Sequence, residues 1–98
     1  MNMQAMLKQA QKLQKDMLKT QEEINEMTFI GKSSIVTVKV NGKKEILEIK
    51  IDSDSMDADE IEMLQDMIVV AINDAFKQVD KITDEKMGPY TKGMPGFF

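Results

Sequence analysis

The sequence predicts an α+β fold in a single domain spanning residues 1–98: a long helix, a small antiparallel sheet, then a second long helix. Three observations predict it. Met3, Met6, Ala10, Leu13, Met17, Thr20, Ile24 and Met27 recur at alternating steps of three and four, a heptad seam with one polar interruption at Thr20. Ile35 to Val40 alternates in polarity and runs into Asn41-Gly42, the strongest short hairpin signal. Ile61, Leu64, Ile68, Ala71, Ala75, Val79 and Ile82 form the stripe of a second helix.

Taken in order, the first helix is expected from about residue 2 to residue 27, roughly 37 Å long at 1.5 Å per residue. So small a chain has little left to cover such a length, so the seam asks for a partner, most simply a second copy. Thr28, Phe29 and Ile30 read as a short strand ending at Gly31, and Lys32-Ser33-Ser34 as a polar turn. Both residues of Asn41-Gly42 tolerate positive φ, so a two-residue turn is expected, with Lys43 to Asp52 as the return strand. That register pairs Val40 with Lys43, Val38 with Glu45 and Val36 with Leu47. One face then collects Val36, Val38, Val40, Leu47, Ile49 and Ile51, and the other Thr37, Lys39, Lys44, Ile46, Glu48 and Lys50. A sheet with one apolar face needs a cover.

Asp57 and Glu60 resemble an N-cap pair, and the acids Asp57, Asp59 and Glu60 suit a helix N-terminus. The second helix is expected to reach about Met87 and to close at Gly88-Pro89, leaving residues 88–98 as a mobile tail. From Met67 to Ile72 that helix is apolar all round. One side can cover the sheet; the other again points to a dimer, with Leu64, Met67, Ile68, Ala71, Ile72 and Ala75 as its interface.

Composition narrows the chemistry. Cysteine and histidine are absent, which removes disulfides, thiolate metal sites and every Ser/His/Asp or Cys/His arrangement. No calcium-loop pattern and no phosphate-cradling glycine loop occurs. The expectation is a binding protein with no catalytic residues, no cofactor, no metal and no small-molecule substrate. Lysines and glutamines break up the N-terminus, and the longest apolar run is Met67 to Ile72, which fits neither a signal peptide nor a membrane span. A cytoplasmic protein is expected.

The net charge of −4 is unevenly spread: residues 1–20 carry four lysines and one acid, whereas 57–86 carry nine acids and three lysines. Every basic residue is lysine, so the planar guanidinium fork that reads base edges is absent. Lys8, Lys12, Lys15 and Lys19 fall on the outer heptad positions as one stripe facing away from the seam. The plain reading is a solvated face. The functional one is a ridge that neutralises phosphates and releases counterions without reading bases. Lys39, Lys44 and Lys50, diluted by Glu48, offer a weaker basic surface or a simple solvent face. The ten methionines read as soft core filler, or as an adaptable surface for greasy clients. Asn73-Asp74 reads either as a buried polar pair fixing dimer register or as exposed surface.

Met6-Leu7-Lys8-Gln9-Ala10-Gln11-Lys12-Leu13-Gln14 resembles the N-terminal signature of the YbaB/EbfC family of bacterial nucleoid-associated DNA-binding proteins. Val38-Lys39-Val40-Asn41-Gly42 is similar to its hairpin, and Met63 to Ala75 to its second helix. Glu85-Lys86-Met87-Gly88 and Gly93-Met94-Pro95-Gly96 resemble its C-terminal end. The resemblance implies an α-β-β-β-α protomer, a tweezer-like homodimer whose protruding helices grip duplex DNA, nucleoid association and an effect on gene expression. Lys8 and Lys12 lie in the matching motif; Lys15 and Lys19 extend the stripe by geometry. The sequence departs from the family at Lys32-Ser33-Ser34, where glycines are common, and ends early in Phe97-Phe98. The rival expectation is a homodimeric protein-interaction or holdase-like module with no nucleic-acid role, since helix, hairpin, helix is also the prefoldin-like order.

Overall fold

The computed structural model describes residues 2–53 and 56–92. Its elements follow the order α1 (Met3–Glu26), β1 (Thr28–Ser33), β2 (Val36–Asn41), β3 (Ile46–Ile51), a 3₁₀ turn (Ala58–Glu60) and α2 (Ile61–Lys92). The sheet is antiparallel in the order β1-β2-β3. The described chain measures 71 × 22 × 14 Å, because α1 projects from a small body made by α2 and the sheet.

α2 lies across one face of β1 and β2. The core there is Phe29, Val36, Val38, Val40, Ala71, Ala75 and Val79. Burying each valine is worth about 1.5–3 kcal/mol, so the alternation in β2 fixes which face meets the helix. Gly31 lets the two backbones close. A Cβ there would stand 2.1 Å from the Ala71 carbonyl oxygen and 2.6 Å from the Ala75 nitrogen. Ala71 and Ala75 are therefore covered within the protomer, with nothing of them exposed.

The outer edge of β1 is closed by α2 side chains. Asp74 Oδ2 accepts from the Lys32 amide at 3.1 Å, and Gln78 Nε2 donates to the Ile30 carbonyl at 2.7 Å. Asp74 is thus half-buried and bound to β1, while Asn73 is exposed. The outer edge of β3 has no strand neighbour among the described residues.

The β2–β3 connection differs from the expected two-residue turn. Neither Asn41 nor Gly42 takes positive φ; Lys44 does, at 62°. Asn41 Oδ1 accepts from the Lys43 and Glu45 amides at 2.9 and 3.0 Å, and the Asn41 amide donates to the Glu45 carbonyl. This is a longer loop closed by a left-handed residue. Lys44 Nζ pairs with Asp80 at 2.7 Å and lies 5.7 Å from the Phe76 ring centroid. Gly42 serves close approach instead of turn geometry: a Cβ there would collide with the Ile24 carbonyl at the base of α1.

Consequently β3 starts at Ile46, and the pairs are Val36↔Ile51, Thr37↔Lys50, Val38↔Ile49, Lys39↔Glu48 and Val40↔Ile46, with a bulge at Leu47. The bulge moves Ile46 onto the apolar face. The first hairpin is also longer than expected, since β1 continues to Ser33. Its turn is Ser34-Ile35 with φ of 52° at Ser34.

Two helix ends also differ from expectation. Asp57 makes no side-chain cap, and a 3₁₀ turn precedes α2 instead of a capping box. At the far end α2 passes through Gly88-Pro89 to Lys92. Gly88 has no Cβ to clash with the proline ring, and the helix runs on through Pro89, which has no amide hydrogen to donate. Residues 93–98 of the expected tail lie outside the described residues.

Candidate nucleic-acid interface

Asn2 caps α1, its Oδ1 accepting from the Gln4 amide at 3.0 Å. Every residue from Asn2 to Asp16 is exposed, so the first four turns of α1 stand free of the body. The lower part of the seam is covered by the chain itself. Ile24 is fully buried, and Met17, Thr20 and Met27 are half-buried. Thr20, the polar break in the seam, meets the Tyr90 hydroxyl at 3.3 Å. The seam's first partner is therefore α2 of the same chain, and only the part from Met3 to Leu13 is left uncovered. Met3 there is 83% exposed.

Lys8, Lys12, Lys15 and Lys19 are all exposed on α1. At 1.5 Å per residue the stripe is about 16 Å long. Among the described residues the recorded ion pair is Lys44–Asp80, and the four arm lysines are not in it. Asp16 stands beside the stripe, Glu22 and Glu26 continue its spacing past Lys19, and Glu23 lies next to them at the base, all exposed. Such a row of hydrated ammonium groups on a free helix can track a phosphate backbone and cannot read bases bidentately.

The six residues expected at a dimer interface divide. Ala71 and Ala75 face the chain's own sheet, for the packing reason given by Gly31, and leave no surface for a partner. Leu64, Met67, Ile68 and Ile72 are half-buried, packed at the rim of the core. Alternation and helical spacing identified an apolar surface without showing which part the sheet would take. Residues not singled out complete that surface: Val69 on α2 and Ile46 on β3 are exposed, as are Ile49 and Ile51, already placed on the apolar face. α2 makes no contact with β3, so the inner face of β3 is uncovered. Phe76 marks the flank of α2 beside Lys44, and Ile72 and Val69 share that flank by helical spacing. The result is an apolar trough between this flank and β3.

The methionines are only partly core. Met87 is buried and Met27 and Met67 pack at the core, whereas Met3, Met6 and Met63 are exposed. Asp57, Asp59 and Glu60 bring carboxylates together at the start of α2, all exposed. No helix of the described residues is long and apolar enough to cross a membrane.

A family model described as the YbaB/EbfC DNA-binding family matches residues 1–94. A protein of Lactococcus lactis subsp. cremoris (strain MG1363), named a nucleoid-associated protein, is 50% identical over 97 residues, covering 97% of this chain and 98% of that one. A nucleoid-associated protein of Enterococcus faecalis is 45% identical over 98 residues, covering 98% and 94%. One of Clostridium novyi is 48% identical over 102 residues, covering 100% and 90%.

Proposed function

This chain belongs to the YbaB/EbfC DNA-binding family, and we propose from that premise that it is a nucleoid-associated homodimer that grips duplex DNA between two lysine-bearing arms. The observation that carries the reading is the stripe of Lys8, Lys12, Lys15 and Lys19, exposed along α1, the first three on its free part, and outside the recorded ion pair. Each ammonium that meets a phosphate releases counterions, giving affinity with little sequence preference. Location in the bacterial nucleoid follows from the ligand, and effects on gene expression follow from occupying DNA. The protein acts by binding, not by catalysis.

The second copy is supported by the trough. A partner helix laid on Ile46, Ile49 and Ile51 would bring Leu64, Met67, Ile68 and Ile72 of the two chains toward one another. A dimer carries −8 by doubling the charge of the chain, which disfavours long-range steering toward DNA. Lys8 and Lys12 escape this locally, because they stand on the part of α1 that is free of the body carrying the α2 acids, and salt screens charges over about 8 Å.

The test is duplex binding across a salt series. The dimer should bind with log K falling steeply against log salt, by up to about 0.9 for each phosphate contacted. Lys8→Glu/Lys12→Glu/Lys15→Glu/Lys19→Glu should abolish binding at 100 mM salt and leave the melting curve unchanged. Affinity and slope equal to the parent protein would remove the reading. The alternative, a holdase-like module, draws on the exposed Met3, Met6 and Leu7 at the arm tip. A dimer that suppresses aggregation of an unfolded protein and ignores DNA at low salt would favour it.

A further inference from the structure

The observed register gives the sheet's outer face a charge pattern that neither the lysine arms nor the apolar trough uses. Lys32 pairs with Thr37, and Thr37 pairs with Lys50, so one row across all three strands reads Lys-Thr-Lys. The next row reads Ile30, Lys39 and Glu48. Paired residues share a face. Two strand spacings put Lys32 and Lys50 about 10 Å apart, with Lys39 about 7 Å further along β2. Lys44, which the expected register placed on this face, is instead held by Asp80 and Phe76, and Lys32 takes its place.

Lys32 and Lys50 are exposed and Lys39 is half-exposed. None of the three is in the recorded ion pair, even though Glu48 stands opposite Lys39. Glu48 is the acid within these two rows; Glu45, bonded to Asn41, follows in the row beyond Lys39, and Asp52 lies two residues past Lys50. Asp74 approaches from the β1 edge, its carboxylate bound to the Lys32 backbone amide and adding a negative charge at that margin. The remaining acids of α2 belong to the element covering the opposite face. The two central rows thus set three lysines against one acid in an acidic protein.

We propose that this outer face is a second phosphate-contact surface, in which Lys32, Lys39 and Lys50 surround the Thr37 hydroxyl and bind the backbone of duplex DNA independently of the arms. The inference rests on the DNA-binding reading. Its partner is a polyanion of repeating phosphates, because three separated ammonium groups on a flat, twisted surface meet successive phosphates better than one compact anion.

The experiment uses the full-length dimer and a mixed-sequence duplex, with anisotropy titrations from 50 to 200 mM NaCl. Lys32→Gln/Lys39→Gln/Lys50→Gln should lower affinity at least tenfold at 100 mM salt and reduce the magnitude of the salt slope by about three per protomer engaged, about one for each lost contact. Glu48→Gln should raise affinity severalfold, a gain that damaged folding cannot imitate. Near-parental binding and slope in the triple variant, with the arm variant impaired, would overturn this surface and leave the DNA-binding reading intact. A parent protein that fails to bind at 50 mM salt would overturn both.

Discussion

Gly31 and Ser34 stand three residues apart and have opposite demands. At Gly31 the missing Cβ is what lets the Ala71 and Ala75 backbone rest on β1. Gly31→Ala meets backbone atoms that cannot turn aside, so urea melts should show a loss of about 2–3 kcal/mol, the upper end for an overpacked core. At Ser34 a side chain occupies left-handed space, φ 52°, at a cost of roughly 1–2 kcal/mol. Ser34→Gly removes that strain and adds about 0.5–1 kcal/mol of backbone entropy loss, so the same melts should show a net gain of about 0.5 kcal/mol. The departure of Lys32-Ser33-Ser34 from the glycines that the family resemblance implies was visible in the sequence. The close approach at Gly31 was not, because a one-dimensional pattern holds no information about which backbone will come to rest on which.

For single elements, the alternation of β2 and the heptad of α1 were legible, since burial imposes its period directly on the residues. The register of β3 was not. Ile46 and Leu47 are both apolar, so no change of polarity marks where the extra residue enters. The Asx contacts of Asn41 that lengthen the loop compete with the Asn-Gly turn on equal terms. The heptad pointed most simply to a second copy, whereas α2 of the same chain meets its lower half at Thr20–Tyr90, and Ile24 is buried there. Four uncovered turns of helix are marginal in water. Amides of residues 6–16 should therefore exchange in seconds or faster near neutral pH, while that of Ile24 should be protected by orders of magnitude. Adding duplex DNA should slow exchange in the arm selectively; equal protection along the whole of α1 in the free protein would contradict a free-standing arm.

In the whole molecule, the dimer expectation was readable from apolar residues in excess of what so small a chain can cover. The seam was misplaced at Ala71 and Ala75, because the sheet takes the narrow, small-residue side of α2 for itself. Ile49, paired with Val38 on the inner face yet exposed, tests the trough directly. Ile49→Glu places a charge where a partner would desolvate it, so sedimentation at micromolar concentration should shift from dimer toward monomer. DNA affinity should fall with it, since one arm then grips alone. Lys50→Glu, one residue along on the other face, should leave the sedimentation coefficient unchanged. A parent protein that sediments as a folded monomer would remove the second jaw.

Asp74 and Gln78 engage the Lys32 amide and the Ile30 carbonyl on the outer edge of β1, while the far side of β3 has no strand neighbour among the described residues. Such a sheet has a valence of one. It can be extended a single time, and the joined pair then presents only closed margins to the surrounding solution. Self-association built on that side would terminate at two subunits, with no edge left on which a filament could grow.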